Sequence, residues 1–296
     1  MTITHRSYQK NVDFERIKDF LTQAYILNHS TDNWFPSQFE NSRDNFNADN
    51  THIWENELGE IVAAATPERP NIYFLHFHPN FEHLTPEVGK WVEEYFLSQV
   101  KGSNGNDKLA IVLVEGNEQR ERGLTQLGFA KGKIYGLLRF RDVNASIPEF
   151  SLAEGFKIRT IREEDYAKYA ETIRAIFGHG EFFNADIVRF LASSSWYNQE
   201  LDLVAVDTED NFASVCTFRM DPASRITELE PMGTHPNYRR LGLGKALLAE
   251  GFRRLQKYKP SLLFIGGAAD NPGANRLYDA LGFTDKKTMH FWVKDY

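Results

Sequence analysis

The sequence predicts an α+β protein built as two similar domains in tandem, and three observations carry that reading. Strand-like runs bounded by turns and stripes of helical period alternate along the whole chain. The order of these segments repeats after residue 155. Two residue patterns repeat with it: HPNFEHL at His78 to Leu84 matches HPNYRRL at His235 to Leu241, and EGNEQRERGLTQLGF, ending at Phe129, matches AADNPGANRLYDALGF, ending at Phe283. A length of 296 residues agrees with about two domains.

Asp13 to Leu27 carries apolar residues at Phe14, Ile17, Phe20, Leu21 and Ala24, a helical stripe with Asp13 as candidate cap. The polar run NWFPSQFENSRDNFNADN predicts a short helix and a loop. THIWENELGEIVAAATP reads as a hairpin turning near Glu57-Leu58-Gly59, and Asn71 to His78 as a further strand. Pro86 to Val100 predicts a helix with proline near its start. Lys108 to Val114 then reads as a strand, Glu118 to Leu127 as a short helix and Phe129 to Phe140 as a closing strand. Asp142 to Gly155 loses periodicity and holds Pro, Ser and Gly, so it is the expected linker between domains at 1–145 and 155–296.

The second copy follows the same plan. Phe156 to Ile161 predicts a strand, with helices over Glu163 to Phe177 and Asp186 to Ala192. A hairpin turns at Glu209-Asp210-Asn211, and a strand starts at Ile226. The turn HPNYRRLGLG follows, with a long helix opening at Lys245; a strand over Leu262 to Gly266, a helix carrying Tyr278 and a final strand from Phe283 to Val293 complete it.

That turn is where the chemistry concentrates. The first turn of a helix has backbone N–H groups without partners and a positive dipole end, so it receives anions. Gly242 and Gly244 keep side chains away from an approaching phosphate, and Arg239 and Arg240 add charge-assisted donors. The spacing is not a dinucleotide fingerprint, which needs three glycines, nor a Walker loop, since neither Ser nor Thr follows Lys245.

Arg239-Arg240-Leu241-Gly242-Leu243-Gly244 resembles the Arg/Gln-x-x-Gly-x-Gly/Ala signature of the GCN5-related N-acetyltransferases. DNPGANRLYDALGF, from Asp270 to Phe283, resembles that family's second signature. The resemblance implies a mixed, mostly antiparallel sheet flanked by helices in each copy, with a splayed strand pair where acetyl-CoA enters. It implies transfer of an acetyl group to an amine by direct attack in a ternary complex. Met232, Gly233 and Thr234 would offer backbone groups to the pantetheine arm, and Arg239, Arg240, Leu241, Gly242, Leu243, Gly244 and Lys245 would cradle the pyrophosphate. Asn271 and Asn275 would bond the pantetheine or phosphate region, with a plain helix cap as the rival role for Asn271, ahead of Pro272. Tyr278 would protonate the leaving thiolate.

An amine is protonated at neutral pH, so a base must take its proton before attack. Glu228 falls where the family often keeps a glutamate; Glu230 shares its strand face and becomes the candidate if Pro231 marks a bulge. Tandem copies of this fold occur in related groups, mycothiol-synthase-like enzymes among them, whose second half is the active one. A non-catalytic acetyl-CoA sensor is the alternative from another class. Small molecules and peptides carrying an amine are all open as acceptors.

The first copy keeps the fold signals and loses this chemistry. Glu82 and His83 replace Arg239 and Arg240, Thr85 and Glu87 stand for Gly242 and Gly244, and Leu124 stands for Tyr278. Two carboxylates at a diphosphate site repel it, and Pro86 removes an amide donor, so this copy is expected not to bind acetyl-CoA.

Composition closes other readings. The net charge of −7, without a Lys/Arg-dense run, argues against a nucleic-acid surface. Cys216 is the only cysteine, so no internal disulfide forms; its apolar strand setting predicts a small core residue. The opening residues lack an apolar signal core, and no apolar run is long enough to span a bilayer. A soluble, cytoplasmic chain without nucleic-acid or membrane partners is expected, as monomer or homodimer. His76 and His78 share a strand face near His83, but without an acidic or cysteine partner at ligand spacing no metal is expected.

Overall fold

Hairpins and amphipathic helices recur twice along the chain in the computed structural model, which describes residues 2–41, 51–100, 107–267 and 271–296. The first half runs β1 (Thr4–Ser7), α1 (Lys10–Asn28), α2 (Pro36–Asn41), β2 (His52–Glu55), β3 (Ile61–Arg69), β4 (Ile72–Phe77), α3 (Thr85–Gln99), β5 (Lys108–Val114), α4 (Glu118–Gln126) and β6 (Ala130–Arg141). The second runs β7 (Lys157–Thr160), α5 (Tyr166–Phe177), α6 (Ala185–Ala192), β8 (Asp202–Val206), β9 (Phe212–Met220), β10 (Ile226–Thr234), α7 (Leu243–Leu255), β11 (Leu262–Gly267), α8 (Pro272–Ala280) and β12 (Asp285–Asp295). No helix among the described residues is long and apolar enough to cross a membrane.

Two compact units form, and the second is one uninterrupted stretch, Leu138–Lys286. The first unit takes Met1–Leu137 together with Lys287–Tyr296. Its sheet has the order β1-β2-β3-β4-β5-β12, antiparallel except where β4 and β5 run parallel. The final strand of the chain is therefore not an edge of the second unit's sheet: Met289 to Asp295 pair with Val114 to Lys108 of β5, and Trp292 enters the first core beside Leu109, Ile111 and Leu113. Lys294 bonds the Glu93 carboxylate and the Leu127 carbonyl there. In the second unit, which takes the end of β6 from Leu138, the order is β6-β11-β10-β9-β8-β7, with β7 to β10 antiparallel to one another and β10–β11 the parallel pair.

Strand alternation gives each sheet two packed faces. In the second unit Leu203, Ala205, Cys216, Phe218, Leu229 and Met232 pack with the Leu247, Leu248 and Phe252 stripe of α7, whereas Val204, Val206, Phe212 and Val215 pack with Tyr169, Ala170 and Ile173 of α5. Cys216 is a fully buried member of the first set, as its apolar strand predicts.

The duplication reaches the polar groups. Arg6 on β1 bonds Asp13 at 2.7 Å and Glu55 at 3.0 Å; Arg159 on β7 bonds Asp165 at 2.6 Å and Asp210 at 2.8 Å. Each arginine ties its strand to the start of the following helix and to the next hairpin. That network explains one departure from the sequence expectation. Helix α1 starts at Lys10, before Asp13, because the buried Asp13 carboxylate serves Arg6, Arg16 and the Gln9 amide instead of standing at the cap. Helix α7 likewise opens at Leu243, ahead of Lys245, because Gly242 turns left-handed (φ 77°) directly before it. Residues 42–50, the end of the expected loop after α2, lie outside the described residues.

Candidate functional site

The two central strands of the second unit separate. Pairing between β10 and β11 ends at Glu228–Phe264, while β10 runs on to Thr234 and β11 to Gly267. A bulge lies just beyond that point: Leu229 faces Phe218 and Met232 faces Cys216, so β10 fits an extra residue at Glu230–Pro231, whose peptide is cis. The bulge is the condition under which Glu230 joins Glu228 as a candidate base. Past it, Gly233 meets α5 so closely that a Cβ would lie 2.4 Å from Ile176 Cγ2. Ser214 of β9 braces this end, donating to the Gly233 carbonyl at 2.8 Å and lying 3.0 Å from Thr234 Oγ1.

The turn after β10 presents its backbone. Arg240 and Gly242 both have positive φ, 71° and 77°. Among the described residues, the amides of Leu241, Gly242, Leu243 and Gly244 have no backbone acceptor, and intrahelical bonding begins with Lys245 and Ala246 donating to the Gly242 carbonyl at 3.1 and 3.2 Å. Four successive open N–H groups at a helix start form an anion cradle. Gly244 also lies close to Met232, whose flexible Cε would have to shift from a Cβ 2.9 Å away. Arg239 is exposed and donates to the Thr234 carbonyl at 3.3 Å; Arg240 is exposed, and Lys245 stands over the Phe150 ring at 5.4 Å.

Tyr278, on α8, is partly buried, with its ring edge-on to Phe283 at 5.9 Å. Its hydroxyl makes no hydrogen bond among the described residues; burial, then the nearby Glu230 carboxylate, pushes it well above the usual phenol range. Burial also raises the Glu230 carboxyl, against the pull of Arg219 and His179. Glu228 lies opposite Arg219 on β9, carboxylate to guanidinium 3.8 Å. Tyr278 and Glu230 thus come close enough to feel each other's charge, while Glu228 is held deeper, on the face toward α5.

Both asparagines have partners within the second unit. Asn271 Oδ1 accepts from the Ala274 amide at 3.1 Å, the helix-cap role, and Asn275 Oδ1 accepts from Arg139 at 2.8 Å. Sequence reasoning missed Arg139, which also binds Asp279 at 2.9 Å, and missed a buried polar cluster on the α5 face. There Asp202 accepts from Thr217 at 2.7 Å and from Tyr197 at 3.2 Å, and burial lifts its carboxyl to about 6. Arg219 stacks on Trp196 at 4.9 Å beside it. Strand alternation places Thr217 and Arg219 on one face, and that was the available signal.

In the first unit the matching gap is filled by the chain itself. Pairing of β4 with β5 ends at Phe74–Val112. Beyond it, Asn33 bonds both the amide (3.0 Å) and the carbonyl (2.8 Å) of Phe77, in the manner of a neighbouring strand. Arg120, which aligns with Ala274, is buried and donates to the carbonyls of Leu75 (3.2 Å) and Asp32 (2.9 Å), to Asn33 (2.8 Å) and to Glu82 (3.1 Å). Glu87 accepts from Trp54 at 3.0 Å. Of the two carboxylates expected to repel a diphosphate, Glu82 is thus paired with the Arg120 guanidinium, while Glu87 is hydrogen-bonded by an uncharged indole. Leu124, in the place of Tyr278, is fully buried. His76 is structural: its ring lies 2.8 Å from Thr66 Oγ1 and accepts from the Trp34 amide, and His78 accepts from the Asn80 amide.

Comparison with known proteins agrees with this geometry. Residues 169–283 match the profile of the acetyltransferase (GNAT) family. The mycothiol acetyltransferase of Paenarthrobacter aurescens (strain TC1) is 24% identical over 238 residues, 77% of this chain and 72% of that protein. That of Pseudarthrobacter chlorophenolicus is 25% identical over 249 residues, 80% of this chain and 75% of that protein. A tandem GNAT protein from the clavulanic acid biosynthesis pathway superposes with a TM-score of 0.67 at 14% identity, covering 99% of this chain and 98% of its own. A GCN5-related N-acetyltransferase from Sphaerobacter thermophilus does so at 0.65 and 17%, covering 99% and 95%. At such identities the solved structures speak for the fold alone. The splayed strands and the open-amide turn fall within residues 169–283, the stretch that matches the acetyltransferase (GNAT) family.

Proposed function

We propose that the second unit transfers the acetyl group of acetyl-CoA to an amine, and that the first unit takes no coenzyme. The carrying observation is the run of open amides from Leu241 to Gly244 at the end of a strand already parted from its neighbour. The diphosphate of the donor fits that run, with Arg239 and Arg240 beside it, and the freed edge of β10 from Met232 to Thr234 suits the amide-bearing pantetheine arm.

The chemistry follows from the two perturbed groups. The amine gives a proton to Glu230, whose burial raises its basicity toward neutral pH. The freed nitrogen attacks the thioester carbon, the C–S bond breaks as the tetrahedral adduct collapses, Tyr278 delivers its proton to the departing sulfur, and the surplus proton of the new amide nitrogen restores the phenol. A phenol lifted by burial stays protonated across neutral pH, as an acid requires. Glu228, facing Arg219, positions the strand and the guanidinium. The curated relatives are named for mycothiol acetyl transfer, so a related aminated small molecule is one acceptor class for this site.

Tyr278→Phe and Glu230→Gln test this with acetyl-CoA and an amine panel, reading CoA release and, separately, acetyl-CoA affinity. Each should lower kcat by about 10²-fold or more with affinity nearly unchanged. Full turnover in Tyr278→Phe would remove the phenol from the mechanism.

A further inference from the structure

Four arginines are buried among the described residues: Arg120, Arg139, Arg141 and Arg219. Three are held by two or more hydrogen bonds each, although the Arg120 Nε is itself enclosed without a partner. Arg120 has four acceptors, Arg139 has Asp279 and Asn275, and Arg141 has the carbonyls of Asp142, Ala145, Ser146 and Leu281. Arg219 stands apart. It is 6% exposed, yet its guanidinium donates no hydrogen bond to any described residue, and its Nε is wholly enclosed without a partner. Glu228, the carboxylate paired with it, is 3.8 Å away, beyond hydrogen-bond reach.

A second orphan adjoins it. Arg219 lies over the Trp196 ring, and the Trp196 Nε1–H, on a residue 3% exposed, is likewise enclosed without an acceptor. Proteins rarely leave two neighbouring buried donors unmatched, because each loses its hydration without replacement. Arg219 lies on the α5 face, opposite Glu228 across the strand pair and within the electrostatic reach of Glu230, and Trp196 joins it through the ring contact.

We propose that Arg219 and Trp196 receive a carboxylate carried by the acceptor, so that the substrate class is an amine bearing a carboxylate. The inference rests on the acetyl-transfer reading above. A planar, singly charged group with two acceptor oxygens matches a guanidinium fork and an adjacent indole N–H. A doubly charged phosphate suits the place less, since the Glu228 carboxylate stands within 4 Å of the same guanidinium and Asp202 lies on the same face. With its carboxylate on Arg219, the acceptor's amine is directed along β10 toward Glu230, two residues beyond Glu228 and about 7 Å further along the strand. Arg219 is then a specificity-determining residue: it selects the acceptor without taking part in proton transfer.

The test uses the full chain, acetyl-CoA and a probe series: glycine, β-alanine, 4-aminobutyrate and 5-aminopentanoate, each beside its carboxamide. CoA release gives kcat/KM, and calorimetry gives acetyl-CoA affinity in the same preparations. At least one carboxylate should exceed its amide by about tenfold or more. Arg219→Gln should bring that ratio near one, and Arg219→Lys should keep part of it, both with unchanged acetyl-CoA affinity. Trp196→Phe should lower the ratio partway. A purely structural arginine would not move the carboxylate-to-amide ratio, so an unaltered ratio in Arg219→Gln overturns the proposal. Equal use of every carboxylate and amide overturns it too, as does failure to acetylate any carboxylate while acetyl-CoA still binds. A wild-type chain that does not bind acetyl-CoA would bring down the acetyl-transfer reading itself, and this proposal with it.

Discussion

Replacing Arg120 by methionine should unfold the first unit well before the second. The arginine is 2% exposed, and four acceptors converge on it: two main-chain carbonyls, Asn33 and the Glu82 carboxylate. Phe77 stacks on its guanidinium at 4.9 Å. Methionine preserves much of the volume and leaves the acceptors without donors. Removing one member of a buried ion pair costs about 3–5 kcal/mol, chiefly because the remaining charge loses its compensation. Glu82 retains Asn117, at 3.1 Å, which limits that penalty, while the Leu75 carbonyl loses its side-chain donor. A loss of about 4 kcal/mol corresponds to a midpoint lowered by about 8–16 °C for a domain of this size. Tryptophan emission during thermal or urea unfolding is the assay, because Trp34, Trp54, Trp91 and Trp292 all belong to the first unit and only Trp196 to the second. Acetyl-CoA affinity in the cold should stay unchanged. A destabilisation under about 1 kcal/mol, or a second equivalent of acetyl-CoA bound by the chain with Arg120 intact, would refute the view that this residue fills the first unit's cleft.

Two further outcomes follow from the second unit. Burial lifts the Asp202 carboxyl to about 6 from 3.8, so the folded form holds a proton that the unfolded chain releases. Its contribution is fully present below pH 4 and is lost as pH rises to about 6, a loss of about 3 kcal/mol that Asp202→Asn should remove from the stability–pH curve measured by urea titration. Gly242→Ala forces a side chain into a left-handed residue and should weaken acetyl-CoA binding and lower the second unit's stability by about 1 kcal/mol; unaltered calorimetry would argue against the turn as the diphosphate seat.

Local chemistry made much of this protein readable before its structure. Hairpins, helix stripes and the glycine turn at Gly242 depend on neighbours in sequence, so residue patterns reveal them. Glu230 was readable conditionally, because Pro231 signals a bulge but does not say which way the chain turns. Asn33 and Arg120 were not legible: each acts through partners 38 or more residues away in sequence, and Asn33 lies in a polar run without period. Arg219 had the right alternation, yet nothing local tells a buried guanidinium without hydrogen bonds from a solvated one. The last strand was misjudged for a related reason. Its pattern declares a strand, but which edge it joins is decided by long-range pairing, and β5 wins it.

That pairing bears on how the molecule is made. A chain emerging from the ribosome has synthesised everything up to Lys286, the whole of the second unit included, before the first unit receives Trp292 and its neighbours. The half translated earliest is thus the later to finish, and it waits with the edge of β5 uncovered. A nonsense codon just after residue 286 would injure the first unit first, and ribosomal stalling there would expose a sticky edge to whatever strand is nearby.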